Sequence, residues 1–305
     1  MFLALSAMFM AWAIGANDSA KAVGTAVGSG VISFKKAVLI ITVFTTLGAL
    51  IGHSAVSGTV RGLARGMSPW EVSLVLISAA IAVTMFSLWG TPISTTQSLI
   101  GALIGASLSV GTHVNWLAFG LIGVAWASSP VIAGLTSVVT YRIYSIWLKR
   151  VRSIGTLEIT HQWLIFTASA YTAFNLGMNE LANVIGLSIV LGYGGYFRVV
   201  LALILALGTL TFSYNVIMTL GRDISPLGPL AAFSAQFGSA IAVSVANSFG
   251  LPVSTGQAVV GGVTGVSVYK GERIDWGVVF QIVRGWVVAP LSAGILAFIL
   301  IKILA

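Results

Sequence analysis

The chain has no cysteine and, among 305 residues, only seven acidic side chains and three histidines. The lack of cysteine excludes disulfides and thiolate metal sites. The histidines, His53, His113 and His161, stand far apart near segment ends and form no metal-ligand spacing. Charged residues make up 7% of the chain against 57% apolar ones, which excludes a soluble domain of ordinary composition. There is no P-loop, no Gly-rich dinucleotide signature and no nucleophile-base pair, so neither an enzyme nor an ATP-driven pump is expected, and no cofactor. The net charge of +8 is spread over short loops instead of forming a patch, which argues against nucleic acid as a partner. Met1-Phe2-Leu3 offers no basic leader, and a removed signal peptide is not expected.

What the chain has in abundance is long apolar runs, near residues 2–32, 37–57, 72–89, 92–110 and 116–140, then 162–190, 199–220, 229–249, 252–269 and 276–304. Most suffice to cross a hydrocarbon core of about 30 Å at about 1.5 Å per residue. The expectation is an all-α, multi-pass integral protein of the cell membrane, with the lipid bilayer as its main partner. If the runs alternate sides, one side collects Lys35, Lys36, Arg142, Lys149, Arg150, Arg152, Arg222, Lys270 and Arg273. The other receives only Arg61, Arg65, Arg198 and Lys302. The positive-inside rule makes the first side cytoplasmic and both termini extracytoplasmic. Trp70, Trp89, Trp116, Trp147, Trp163 and Trp276 lie near segment ends, as an interfacial belt requires. Arg284, about two turns inside its run, reads as a side chain snorkelling to the interface. Arg222 and Asp223, at a span end before Pro226, suit a local salt bridge or a gate.

The chain also repeats itself. Gly15-Ala16-Asn17-Asp18 returns 162 residues later as Gly177-Met178-Asn179-Glu180. Ala80-Ile81-Ala82-Val83 returns after 160 residues, as does Gly90-Thr91-Pro92-Ile93-Ser94-Thr95-Thr96-Gln97, the latter as Gly250-Leu251-Pro252-Val253-Ser254-Thr255-Gly256-Gln257. Gly101 and Gly105 recur as Gly261 and Gly265. Five runs per half is an odd number, so the second copy lies upside down in the membrane: an inverted repeat of residues 1–140 and 162–305, joined by a basic cytoplasmic linker at 141–161. Small residues around Gly15 allow a broken helix, and the Gly-x-Pro turns suit either full spans or re-entrant hairpins at a central site.

A carboxylate in hydrocarbon costs on the order of 2.5–3.5 kcal/mol, so Asp18 and Glu180 at matched positions point to a ligand site lined by both halves. Asn17 and Asn179 belong to it. Ser94, Thr95 and Thr96 in one turn, and Ser254 and Thr255 in the other, place hydroxyls and unpaired N–H donors where a helix begins, which suits an anion. These polar groups are compatible also with helix-helix hydrogen bonds and ordinary capping, but their recurrence favours the site.

The stretches GANDSAKAVGTAVGSG, GMNELANVIG, GTPISTTQSLIG and GLPVSTGQAVVGG resemble the paired signatures of the inorganic phosphate transporter family, over essentially the whole chain. The resemblance implies import of inorganic phosphate by cation symport, with the nine residues Asn17, Asp18, Ser94, Thr95, Thr96, Asn179, Glu180, Ser254 and Thr255 around one anion. It implies a coupling cation, sodium or proton, near Asp18, Glu180 and Asn183, with Gln97, Gln236 and Gln257 alongside. A homodimer is compatible with the family and with the many small residues. Carboxylates beside the anion favour phosphate, which keeps a P–OH donor near neutral pH, over sulfate, which has none. Other readings are a permease for another oxyanion such as sulfate, or a passive anion channel.

Three positions depart from the family pattern. Lys21 stands where Asn is usual, Gln236 where Glu is usual, and Glu180 where Asp is usual. The Lys21 ammonium therefore reads as a replacement for a coupling sodium or as part of the anion site; an internal ion pair with Asp18, at i, i+3, is the competing reading.

Overall fold

The computed structural model describes residues 1–51, 55–112, 114–192 and 194–305, and every side chain among them except those of residues 190, 221 and 222. His53, His113 and the side chain of Arg222, singled out above, lie outside the described residues.

All regular structure among the described residues is helical. The first half runs α1 (Phe2–Gly28), α2 (Phe34–Ile51), α3 (Ala55–Leu63), α4 (Pro69–Leu88), α5 (Thr95–Val110) and α6 (Trp116–Leu148). The second repeats that order. α7 (Ile154–Leu176) continues through a π-helical turn (Gly177–Leu181) into α8 (Ala182–Ser188). Then come α9 (Gly194–Thr211), α10 (Ser213–Met218), α11 (Pro229–Ser248), α12 (Thr255–Lys270) and α13 (Trp276–Leu304). Local chemistry sets the boundaries. Ser68 and Glu71 form a capping box ahead of α4, and Ser94 and Ser254 each cap α5 and α12 through the side-chain hydroxyl alone, at matched positions. Gly111 (φ 77°) and Gly271 (φ 69°) end α5 and α12 in the left-handed conformation that a Cβ opposes.

Six helices among the described residues, α2, α4, α6, α9, α11 and α13, are long and apolar enough to cross a membrane. The other four expected runs are helical but are either short, as α5 and α12 are, or carry the polar motifs, as α1 and α7 do. α6 and α13 expose rows of large apolar side chains, Leu117, Leu121 and Val131 on one and Phe280, Leu291 and Ile295 on the other. Arg284 is exposed on α13. Only residues 149–153 separate α6 from α7, so most of the expected linker is helix.

Equivalent helices make exchanged contacts. α1 packs on α9 and α2 on α7; α5 packs on α13 and α12 on α6. Each approach is closed by glycine. A Cβ on Gly15 would overlap the Leu205 carbonyl, and one on its counterpart Gly177 would overlap that of Thr45. Gly101 and Gly105 lie against Pro290 and Gly294 of α13, while Gly261 and Gly265 lie against Pro130 and Gly134 of α6. Pro130 and Gly134 thus repeat as Pro290 and Gly294, 160 residues on, each half supplying a Pro-Gly groove to the other's glycine pair. Gly105→Ala should lower stability by about 1–3 kcal/mol through overpacking against backbone. Gly123→Ala on α6, where a Cβ meets nothing, should not; melting of the two purified variants in detergent checks the contrast.

One local expectation is corrected. α1 is continuous through Gly15–Lys21 and not broken, whereas its counterpart only widens into the π-helical turn. No proline interrupts α1, and each glycine costs a helix only about 1 kcal/mol, which the close approach to α9 offsets.

Candidate substrate and ion site

The turns at residues 89–94 and 249–254 bring the tips of the hairpins α4–α5 and α11–α12 against the Asn-acid motifs. Asn17 lies 15 residues beyond the first residue of α1, about 22 Å along the helix, so the first tip sits near its mid-length. The Asn17 amide clamps that tip from both sides. Nδ2 donates to the Thr91 carbonyl (3.1 Å) and to Ser87 Oγ (3.0 Å), and Oδ1 accepts from the Ile93 N–H (3.1 Å). Asn179 holds the second tip from one side only, donating to the Val253 carbonyl at 2.7 Å. Both asparagines are thus engaged with hairpin backbone, and all four motif residues, with Lys21, are at most 1% exposed.

The carboxylates meet the helix starts. Glu180 Oε2 accepts from Thr96 (2.5 Å) and Thr95 (2.9 Å) of the first hairpin, while Oε1 accepts from Thr255 (3.0 Å) of the second. Thr95 also makes a short bond to Asp18 Oδ2. One residue of the second half therefore ties the starts of α5 and α12 together, with Asp18 beside them. A hydroxyl has one proton, so Thr95 donates to one carboxylate only. Its close contact with the other leaves one hydroxyl between the acids of the two halves.

Ser94 and Ser254 cap their helices, accepting from the N–H of Gln97 (3.1 Å) and Gln257 (3.2 Å). The N–H groups of Thr95 and Thr96, and of Thr255 and Gly256, have no acceptor within their helices. Two helix starts with open donors, three threonine hydroxyls and two carboxylates converge on one buried place. Such a set can hold an oxyanion that both accepts and donates hydrogen bonds.

Lys21 adopts the internal pairing: Nζ lies 2.5 Å from Asp18 Oδ1, one turn along the unbroken α1. Its stem crosses Gly256, where a Cβ would come within 2.9 Å of Cε. The counterpart pair differs. Asn183 stands at the position equivalent to Lys21 and donates to Thr96, the equivalent of Gly256, at 3.2 Å, while Asn183 Oδ1 is buried without a partner. Asn179 Oδ1 is likewise buried and unpartnered.

The three glutamines lie outside this cluster. Gln236 accepts from Thr25, one turn beyond Lys21, and donates to the Ala22 carbonyl next to it on α1. Gln97 lines a cavity between α5 and α13 with Trp126 and Trp286, and neither it nor Gln257 bonds to a carboxylate. Gly256 and Ser87 are site residues that the motifs alone did not single out. Gly256 had a signal: it is the one place where the two Ser-Thr turns differ in Cβ content.

A model of the phosphate transporter family matches residues 14–160 and again residues 149–297. A protein of Methanocaldococcus jannaschii named "Putative phosphate permease" is 32% identical over 293 residues, covering 96% of this chain and 93% of that protein. One of Pyrococcus horikoshii with the same designation is 28% identical over 389 residues, covering 97% and 95%. A solved structure described as "The sodium-dependent phosphate transporter" has the same fold, with a TM-score of 0.85 at 24% identity over 99% of this chain and 98% of that one. Matched twice by one family model across nearly its full length, this membrane protein belongs to the phosphate transporter family.

Proposed function

We propose that the protein imports inorganic phosphate through the cell membrane by cation symport, at one central site built from both halves. The observation that carries this reading is Glu180, whose two carboxylate oxygens reach threonines of both hairpin starts. The anion accepts from the open N–H donors of α5 and α12, and from Thr95, Thr96 and Thr255 once their hydroxyls turn from the carboxylates toward it. A P–OH donates to Glu180 or Asp18, which disfavours sulfate. Ser94 and Ser254 hold the helix starts, and Asn17 and Asn179 hold the tips.

The halves act as an inverted repeat with both termini extracytoplasmic, and the hairpins are re-entrant. The exchanged glycine contacts and the tip at the mid-length of α1 support this. Alternating access then follows from one bundle moving against the other about the fixed site. Thr95, one hydroxyl between two carboxylates, supports a proton as one coupling ion. The unpartnered Asn183 Oδ1 beside Glu180 supports a sodium on that side, since hard cations take oxygen ligands. On the Asp18 side the Lys21 ammonium takes the cation's place.

Labelled phosphate uptake into proteoliposomes, with sodium and pH gradients imposed separately, tests the reading. Accumulation against a gradient, inhibited far less by sulfate than by unlabelled phosphate, is expected. Strictly downhill flux would overturn symport, and equal competition by sulfate would overturn the role given to the carboxylates.

A further inference from the structure

A second cavity, of about 500 Å³, lies outside the carboxylate cluster, between the end of α3, the start of α4 and the far end of α8. Arg61 and Arg65 line it, together with Gly58, Gly62, Gly186 and Leu187. Both arginines are exposed, and neither guanidinium has a carboxylate or other hydrogen-bond partner among the described residues. The nearest acid in the sequence, Glu71, caps the Ser68 N–H instead. Gly58 and Gly62 face open space: a Cβ on either would meet nothing within 4 Å. Two unpaired guanidinium groups four residues apart thus border a roomy cavity with a glycine floor.

Neither the fold nor the membrane requires arginines there. The equivalent positions 160 residues on are Gly221 and Ser225, so the repeated architecture is built without them. On the proposed topology they stand on the extracytoplasmic side, where basic residues are otherwise sparse and the positive-inside rule disfavours them. The cavity is also well placed. Gly186 and Leu187 follow Asn183 by three and four residues on α8, about 5 Å along the helix. α3 is fastened to that helix by the Ser57 hydroxyl, which donates to the Ala182 carbonyl at 2.8 Å.

We propose that this cavity is an extracytoplasmic capture site for inorganic phosphate, in which Arg61 and Arg65 take the anion from solution one helical turn outside the central site. The proposal rests on the reading of the protein as a phosphate importer. Guanidinium forks match tetrahedral oxyanions in geometry, and two of them balance a dianion. Unpaired positive charge at the mouth of a closed site raises the local anion concentration and the rate of arrival, an effect that salt screens. The phosphate headgroup of an anionic lipid offers the same chemistry with the same net negative charge, so the test separates the two sources.

Phosphate uptake is measured in vesicles of phosphatidylcholine alone, at low and at physiological ionic strength. Arg61→Gln with Arg65→Gln should raise KM roughly ten-fold at low ionic strength and less at high, with maximal rate unchanged. Arg61→Lys with Arg65→Lys, which keeps the charge, should leave KM close to that of the wild type. Gly62→Leu, which fills the cavity without touching the fold, should raise KM with no fall in melting temperature. A wild-type KM and salt dependence in the glutamine pair would overturn the proposal. So would a KM effect seen only after anionic lipid is added, which would assign the arginines to headgroups. Absence of uptake by the wild type would instead count against the importer reading. Equilibrium binding of labelled phosphate to purified Glu180→Gln protein then decides the capture site independently: weak binding that disappears with the arginine pair supports it, and no binding, or binding that survives their loss, overturns it.

Discussion

Glu180→Gln should reduce initial phosphate uptake by at least about a hundred-fold while leaving the protein folded. The carboxylate receives three hydroxyl donors from two hairpins, and hydrogen bonds to a charged group contribute about 1.5–3 kcal/mol each. Glutamine keeps the volume and one acceptor oxygen, but its NH2 turns a donor toward threonines that are themselves donating. Losing two such bonds amounts to roughly 3 kcal/mol, about two factors of ten. The same change removes the acceptor for a P–OH donor, so the anion is lost along with the tie between the hairpins. Glu180→Asp should fall between the two, because it keeps the charge but is a methylene short of reaching Thr255 and the Thr95-Thr96 start together. Initial rates in proteoliposomes, with melting curves to report folding, provide the measurement. A Glu180→Gln protein with wild-type uptake would remove the central site from the mechanism.

The candidate site was legible in the sequence because it breaks the strongest rule the sequence obeys. In a chain so short of charge, Asn17-Asp18 and Asn179-Glu180 stand out by cost alone, and their recurrence with the Ser-Thr turns singles out one place. The division of labour within that place was not legible. Asn17 reads as a ligand from its company, yet its amide holds the Thr91 and Ile93 backbone, an arrangement fixed by where the hairpin tip arrives. The continuity of α1 was missed because small residues permit a break without requiring one; the choice was made by Gly15 fitting against α9. The pairing of Pro130 and Gly134 with Gly261 and Gly265 was written in the 160-residue period. It stayed unread because proline inside a long apolar run signals a kink before it signals a groove. Gly256 is the hardest case. A glycine's role depends on what lies across from it, and nothing local announces that Lys21 does.

That opposition leads to the second large effect. Lys21→Asn combined with Gly256→Thr should give the Asp18 side the residue pair that Asn183 and Thr96 provide on the Glu180 side, and with it a dependence on sodium that the wild type lacks there. The buried ammonium neutralises Asp18 at 2.5 Å, and the missing Cβ at Gly256 makes room for its stem. Removing one partner of a buried pair costs about 3–5 kcal/mol when nothing replaces it. A cation that enters the vacated place restores the charge balance, and ligand binding at a hundred times its dissociation constant returns about 2.7 kcal/mol. The double variant should therefore melt well below the wild type in sodium-free buffer and recover most of the difference as sodium rises. Threonine at position 256 with Lys21 retained should destabilise at any sodium concentration, because the new Cβ meets the lysine stem. In transport, the double variant should move one more sodium per phosphate, read from the shift in reversal conditions as the sodium gradient is varied. Identical sodium dependence of melting and of uptake in the two proteins would show that the lysine is an internal structural pair and leaves the coupling untouched. The physical reason to expect otherwise is that a fixed ammonium and a bound cation supply the same charge to Asp18, and only the cation leaves with the substrate.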